Sequence, residues 1–281
     1  MIVTRLMGGL GNQMFQYAIA RRLALKRDVE VVLDLSWLEG DGRTAHTVRN
    51  YELGCFNLDA RVVTTADAVE GTGRLMRRRK PKLAILEEQY CSYDSRVLQA
   101  PASCLLVGYW QSEKYFRDIA RQIREDFAVD TPFADDIQAI ADKIMTSDAV
   151  SIHVRRGDFA AVPYTNEIHG LLDVDYYRRG LHVIERHVAV PRIFVFSDDP
   201  AWCQRNMHFD HPTTVVDRGE QVDDLRLMSL CRHHIIANST FGWWGAWLDP
   251  NPDKVVVAPR RWFRDPTRDV RDIIPHSWIK L

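Results

Sequence analysis

An α/β architecture, with two Rossmann-like domains in series facing a cleft, is the fold class this sequence predicts. Three observations carry it. The chain opens on a β-α-β unit. Its second half alternates short apolar strands with helices. At 281 residues it sits near the size at which one hydrophobic core gives way to two.

The elements follow in order. Residues 2–6 read as a short buried strand, and Gly8 to Gln13 as a glycine-rich turn. Residues 14–27 carry helical periodicity through Phe15, Ile19, Leu23 and Leu25, and residues 29–33 form the next strand. Parallel strands joined by a helix require a right-handed crossover. Residues 104–108 form another strand, and residues 74–82 (RLMRRRKPK) a basic, exposed stretch. Residues 130–147 lead helically into the second domain, with the change placed near Ser147–Asp148, giving domains 1–147 and 148–281. There, strands are expected at 149–154, 192–197, 213–216, 234–237 and 254–258. Helices are expected at 176–186, 201–206, 222–232 and 241–248.

Composition excludes several classes. Hydrophobic residues make up 46% and charged residues 27%, enough for a core and against disorder. A net charge of -1 gives no field favouring nucleic acid or an anionic membrane, so no nucleic-acid partner is expected. The five cysteines are odd in number and lack a C-x-x-C pair, which argues against a disulfide framework or zinc site. The sequence shows no signal peptide and no run of ~18 apolar residues. The expectation is a cytoplasmic protein, at most peripheral to a membrane through residues 74–82; a solvated loop explains that stretch more simply.

Four motifs stand just after strands, where open parallel sheets bind ligands. In Gly8-Gly9-Leu10-Gly11-Asn12-Gln13, backbone amides can approach a phosphate or sugar. Met14 breaks a G-x-G-x-x-G fingerprint and no G-K-[ST] follows, so a tight strand-to-helix turn explains the motif equally well. In Ser151-Ile152-His153-Val154-Arg155-Arg156-Gly157-Asp158, alternation puts Ser151, His153 and Arg155 on one face. Arg155 offers a fork for phosphate oxygens, and Asp158 can hold Arg155 or Arg156 in place; a structural ion-pair cluster is the competing reading. Asp198-Asp199-Pro200 offers carboxylates to a nucleoside, or a helix cap with Pro200 at the first helical position. In Asn238-Ser239-Thr240-Phe241, hydroxyl residues precede a helix whose free amides suit phosphate; plain capping, with Trp243, Trp244 and Trp247 in the core, is the alternative. Asp173-Val174-Asp175 has the spacing of a metal-binding Asp-x-Asp, but helix capping accounts for it. No metal is expected.

Taken together, GGLGNQMFQYA at 8–18, GYWQSEKYF at 108–116, HVRRGDF at 153–159, DYYRRGL at 175–181 and CRHHIIANSTFGWWGAWL at 231–248 resemble the bacterial α-1,2-fucosyltransferases of glycosyltransferase family 11. The matches run in the family's order through most of the chain.

The resemblance implies a GT-B-like fold, with an acceptor-side N-terminal domain and a donor-binding C-terminal domain. It implies transfer of L-fucose from GDP-β-L-fucose to the 2-hydroxyl of a terminal galactoside, with inversion and without metal or cofactor. The acceptor is an oligosaccharide, a lipid-linked one among the candidates. Arg155 is expected at the pyrophosphate with His153 beside it as the catalytic pair, Asp198 or Asp199 at guanine, and Ser239 and Thr240 at phosphate. Gly9, Gly11, Asn12, Gln13, Arg156, Asp158, Asn238 and Phe241 complete the expected donor site. The sequence departs from the pattern at Trp110, where Phe is common, and at Gly242, where Ser is common. A general base is not identified; Asn12 and Gln13 cannot be strong bases. A transferase using another nucleotide sugar and a non-catalytic nucleotide- or glycan-binding module are the alternatives. An NAD-dependent oxidoreductase fits the alternation but not the glycine fingerprint.

Overall fold

A computed structural model describes residues 1–40, 42, 48–65 and 83–281; the basic stretch 74–82 lies outside the described residues. The chain forms two compact units. One comprises Met1–Val129 and Arg268–Pro275, the other Asp130–Thr267 and His276–Leu281.

The first unit contains β1 (Ile2–Arg5), α1 (Leu10–Arg27), β2 (Val31–Asp34), α2 (Ser36–Glu39), β3 (Arg61–Val63), β4 (Ala84–Glu87), β5 (Cys104–Val107) and α3 (Ala120–Asp126). Its sheet has the order β3-β2-β1-β5-β4, and every pair is parallel. The helix α1 starts at Leu10, ahead of the expected Met14, because Gly9 serves as an extended N-cap. It is buried continuously from Gln13 to Ala20, so it is a core helix rather than a surface one. Lys26 and Arg27 complement its dipole at the C-terminal end, and Asp28 closes it in the left-handed conformation.

The second unit contains α4 (Asp135–Met145), β6 (Ala149–Val154), α5 (Gly157–Ala161), α6 (Pro163–His169), α7 (Val174–Ile184), β7 (Arg192–Ser197), α8 (Pro200–Asn206), β8 (Thr213–Val216), α9 (Gln221–Leu230), β9 (His233–Ile235), α10 (Thr240–Leu248), β10 (Val256–Ala258) and β11 (Ile279–Lys280). Its sheet order, β11-β10-β9-β6-β7-β8, is all parallel. Counted from β6, that is the 3-2-1-4-5-6 order of a dinucleotide-binding fold. β6 is buried at every position, as a central parallel strand covered on both faces must be. The helix α10 is apolar nearly all round, and Trp243, Trp244 and Trp247 are buried against one another and Trp278. Burying a ring of this size contributes roughly 4–6 kcal/mol before entropy, so α10 is firmly anchored.

Two differences from the sequence reading have clear causes. The units divide at Val129/Asp130, ahead of Ser147–Asp148, because α4 turns Ile137, Ala141 and Ile144 inward and packs on α9. Residues 268–275 belong with the first unit, where the Asp272 carboxylate accepts from the Lys114 ammonium and from the Tyr93 amide. The Asp173-Val174-Asp175 run is a cap: Asp173 accepts from the Tyr176 amide at the start of α7.

Candidate functional site

β6 and β9 are neighbours, yet the chain leaves them toward opposite sides of the sheet. That makes the edge beyond Val154 and Ile235 the switch point at which such sheets bind ligands. Three of the expected motifs meet on this edge.

Arg155 and Arg156 follow β6 and are locked by carboxylates. Arg155 Nη2 donates to Asp158 Oδ1 at 2.6 Å, and Nη1 donates to Asp198 Oδ2 at 2.8 Å. The other Asp198 oxygen accepts from the Arg156 amide at 2.8 Å. Arg156 Nε reaches Asp199 Oδ2 at 3.4 Å, and its guanidinium lies 3.9 Å above the Trp202 ring. Arg155 and Arg156 are only 19% and 18% exposed, so these forks are aimed rather than free to wander. Asp158 therefore does hold Arg155. Gly157 is required by this packing: a Cβ there would sit 2.4 Å from Asp198 Oδ2. Asp199 serves as cap and arginine partner together, with Oδ1 accepting from the Trp202 amide at the start of α8. Any contact of Asp198 or Asp199 with a base would be additional to these bonds.

After β9, Ser239 is the N-cap of α10. Its hydroxyl makes no capping bond, and the first turn carries no acidic residue. The positive end of this helix dipole thus receives no neutralising side chain from its own first turn, on the same sheet edge as the two arginines. Thr240 and Phe241 are half-buried there. Asn238 has a structural task instead: its amide donates to the carbonyls of His169 and Trp262 at 2.8 and 3.2 Å.

His153 lies below this edge, 3% exposed, with its ring 5.6 Å from Phe241 and its Nδ1 without a partner. Gly242 lets α10 cross it closely, since a Cβ there would be 2.6 Å from Nδ1. Burial, helped by Arg155 and opposed by Asp198, brings its pKa down to about 4. The imidazole is therefore neutral near pH 7. Ser151, on the same strand face, is spent on a buried chain: its hydroxyl pairs with His234 Nδ1 at 2.8 Å, and His234 Nε2 with Asp249 at 3.1 Å.

The glycine-rich turn belongs to the first unit, and its side chains are largely committed. Gln13 is fully buried. It donates to the carbonyls of Gly8 and Asn50 and accepts from the Glu52 amide. Glu52 in turn accepts from the Leu10 amide at 2.6 Å, so the N-terminus of α1 already carries a carboxylate. The Arg49 guanidinium lies 3.8 Å from where a Gly9 Cβ would sit, so the turn carries charges of both signs. Asn12 accepts from Gln111 at 2.8 Å.

Sequence reasoning missed three carboxylates. Glu52 and Glu88 have no motif around them. Asp224, the second of an Asp pair near the start of α9, is pushed up to about 7 by burial and by Asp223. The pair was visible in the sequence; its burial was not.

The sequence profile described as Glycosyl transferase family 11 matches residues 73–281. The chain belongs to glycosyltransferase family 11. Two Escherichia coli relatives align along its full length. The alpha-1,2-colitosyltransferase is 32% identical, covering 100% of this chain and 98% of the relative. The O-antigen biosynthesis glycosyltransferase WbnK is 33% identical, covering 98% and 99%. The galactoside 2-alpha-L-fucosyltransferase SEC1 of Bos taurus is 27% identical over 58% of this chain and 45% of its own. Among solved structures, the NodZ alpha-1,6-fucosyltransferase soaked with GDP-fucose superposes with a TM-score of 0.45 at 14% identity, covering 89% of this chain and 92% of that one. As a family 11 member the chain is a glycosyltransferase, and the switch point of its second unit is the prime candidate for its donor site.

Proposed function

We propose that this family 11 enzyme transfers L-fucose from GDP-β-L-fucose to the 2-hydroxyl of a terminal galactoside, inverting the anomeric centre. The observation that carries the reading is the pairing of the locked Arg155–Arg156 forks with an α10 N-terminus that has no acidic side chain in its first turn. A leaving nucleoside diphosphate gains negative charge as the glycosidic bond breaks. Fixed cationic donors aimed at that charge bind the transition state better than the ground state. In this reading Arg155 and Arg156 face the pyrophosphate, and the α10 amides with Ser239 and Thr240 complete its cradle. Asp158, Asp198 and Asp199 hold the forks. His153 stays neutral and orients rather than shuttling a proton. Charge compensation falls to guanidiniums and a helix dipole, without a metal ion.

The acceptor is an oligosaccharide, in keeping with the similarity to the O-antigen biosynthesis glycosyltransferase WbnK. No helix among the described residues is long and apolar enough to cross a membrane. The reading places the enzyme in the cytoplasm, with a lipid-linked acceptor reached at the membrane surface. A second reading has a specific basis: the 32% identity to a colitosyltransferase favours a colitosyl donor in the same site. The test is GDP release with EDTA present, from GDP-fucose and its colitose counterpart, across galactose-terminated acceptors. EDTA-resistant release from GDP-fucose that depends on one acceptor is expected. Release from the colitose donor alone selects the second reading, and failure to bind either donor removes both.

A further inference from the structure

Asn238 stands immediately before Ser239, the N-cap of α10, and is 3% exposed. Its side-chain nitrogen carries two hydrogens, and both are spent inside the protein. One goes to the His169 carbonyl at 2.8 Å, the other to the Trp262 carbonyl at 3.2 Å. The remaining polar atom is an acceptor, so the side chain keeps no donor for a phosphate.

The two carbonyls belong to different segments. His169 ends α6, and Gly170 closes that helix with φ 70° and ψ 170°, a region essentially reserved for glycine. Trp262 is buried in the loop that follows β10. These segments also hold each other. The Arg264 amide donates to the Ile168 carbonyl at 2.8 Å, and the Phe263 ring lies 5.2 Å from the His169 ring. Asn238 thus joins the turn that starts α10 to the end of α6 and to the loop after β10.

From the end of α6, packed rings lead back to Arg155. The His169 ring stacks on Phe159, with centroids 4.4 Å apart and planes 15° apart. Phe159 lies in α5 and is buried, and the Arg155 guanidinium sits over its ring, 5.4 Å from the centroid. The Asn166 side-chain amide donates to the Phe159 carbonyl at 2.6 Å, which fixes α5 on α6. Asp158 and Asp198 hold the guanidinium through its nitrogens, and Phe159 supports it from a third direction.

We propose that Asn238 is a positioning residue for glycosyl transfer: it sets Arg155 through the His169–Phe159 stack and so registers the arginine with the first turn of α10. This rests on the donor-site reading above. One side-chain amide then governs both halves of the diphosphate cradle. Protein interiors are close-packed and transmit displacement, so freeing the His169 carbonyl lets the stack and the guanidinium above it shift. A misplacement of about 1 Å at a group that orients the reacting centre costs about 10²-fold in rate.

The experiment measures kcat and donor KM for GDP release in wild type, Asn238→Ala, Arg155→Lys and the double variant, with the donor and acceptor that support release in the panel above. Asn238→Ala is expected to lower kcat about 10- to 100-fold at saturating donor. Beside Arg155→Lys the same substitution is expected to lower kcat by no more than about twofold, because the fork through which Asn238 acts is already gone. A merely structural role would cost the same factor in both backgrounds. Phe159→Leu tests the same relay from its other end if Asn238→Ala folds poorly, since leucine keeps an apolar core and removes the ring. Its loss is expected at about 10-fold in the wild-type background and about twofold at most beside Arg155→Lys. Equal losses in the two backgrounds, or a wild-type kcat in folded Asn238→Ala, would overturn the positioning role while leaving the transferase reading intact. Absence of GDP release by wild type from every donor–acceptor pair would remove that reading itself.

Discussion

Gly157→Ala sets two magnitudes of opposite sign against each other. Gly157 is the first residue of α5, where helix propensity alone favours alanine by about 1 kcal/mol. The structure opposes this. The new Cβ would lie 2.4 Å from Asp198 Oδ2 and 3.0 Å from its Cγ, against an ordinary contact of at least 3.4 Å, so the carboxylate must retreat by about 1 Å. That carboxylate holds Arg155 Nη1 and the Arg156 amide, both at 2.8 Å. Hydrogen bonds to charged groups contribute about 1.5–3 kcal/mol each, so weakening two of them outweighs the propensity gain. Net destabilisation of about 1–3 kcal/mol is expected in urea unfolding. The same 1 Å shift at a phosphate-orienting arginine predicts a fall in kcat of ~10²-fold at saturating donor. Assays of GDP release and of the urea midpoint decide the matter. A Gly157→Ala enzyme that is fully active and at least as stable as wild type would refute the claim that Asp198 positions Arg155.

Two further predictions concern protonation and the glycine turn. His153 has a folded pKa of about 4 against an ordinary 6.5, so the unfolded chain binds more protons between those values. Its stabilising contribution is complete above pH 6.5 and is lost as pH falls toward 4. His153→Asn should remove that part of the wild-type pH dependence in urea unfolding, and wild-type kcat should show no titration step near pH 6.5 from this residue. Gln13→Ala removes three buried hydrogen bonds and leaves a void, costing about 2–5 kcal/mol. GDP affinity of the folded variant, measured by calorimetry, should stay within twofold.

Local features of the sequence were informative where chemistry and chain order coincide. The β-α-β opening, the alternation after residue 148, the Asp158 partner three residues from Arg155 and the Asp199 cap are all short-range facts. Contacts that span the chain left no local mark. Glu52 caps α1 from 42 positions away, and Gln13 reaches Asn50 across 37. The glycine turn looks open in sequence because the carboxylate that occupies it comes from elsewhere. The division at Val129/Asp130 has no local mark for the same reason: the packing of α4 on α9 and the return of residues 268–275 to the first unit join distant segments. The bond of Asp198 to Arg155 likewise left no local mark, because it depends on the β6–β7 pairing.

Arg155→Lys isolates the contribution of the guanidinium fork. Lysine keeps the charge and loses the fork that Asp158 and Asp198 aim. With donor saturating, kcat should fall ~10²–10³-fold while GDP still binds. Near-full turnover in Arg155→Lys would contradict the assignment of the departing diphosphate to this arginine.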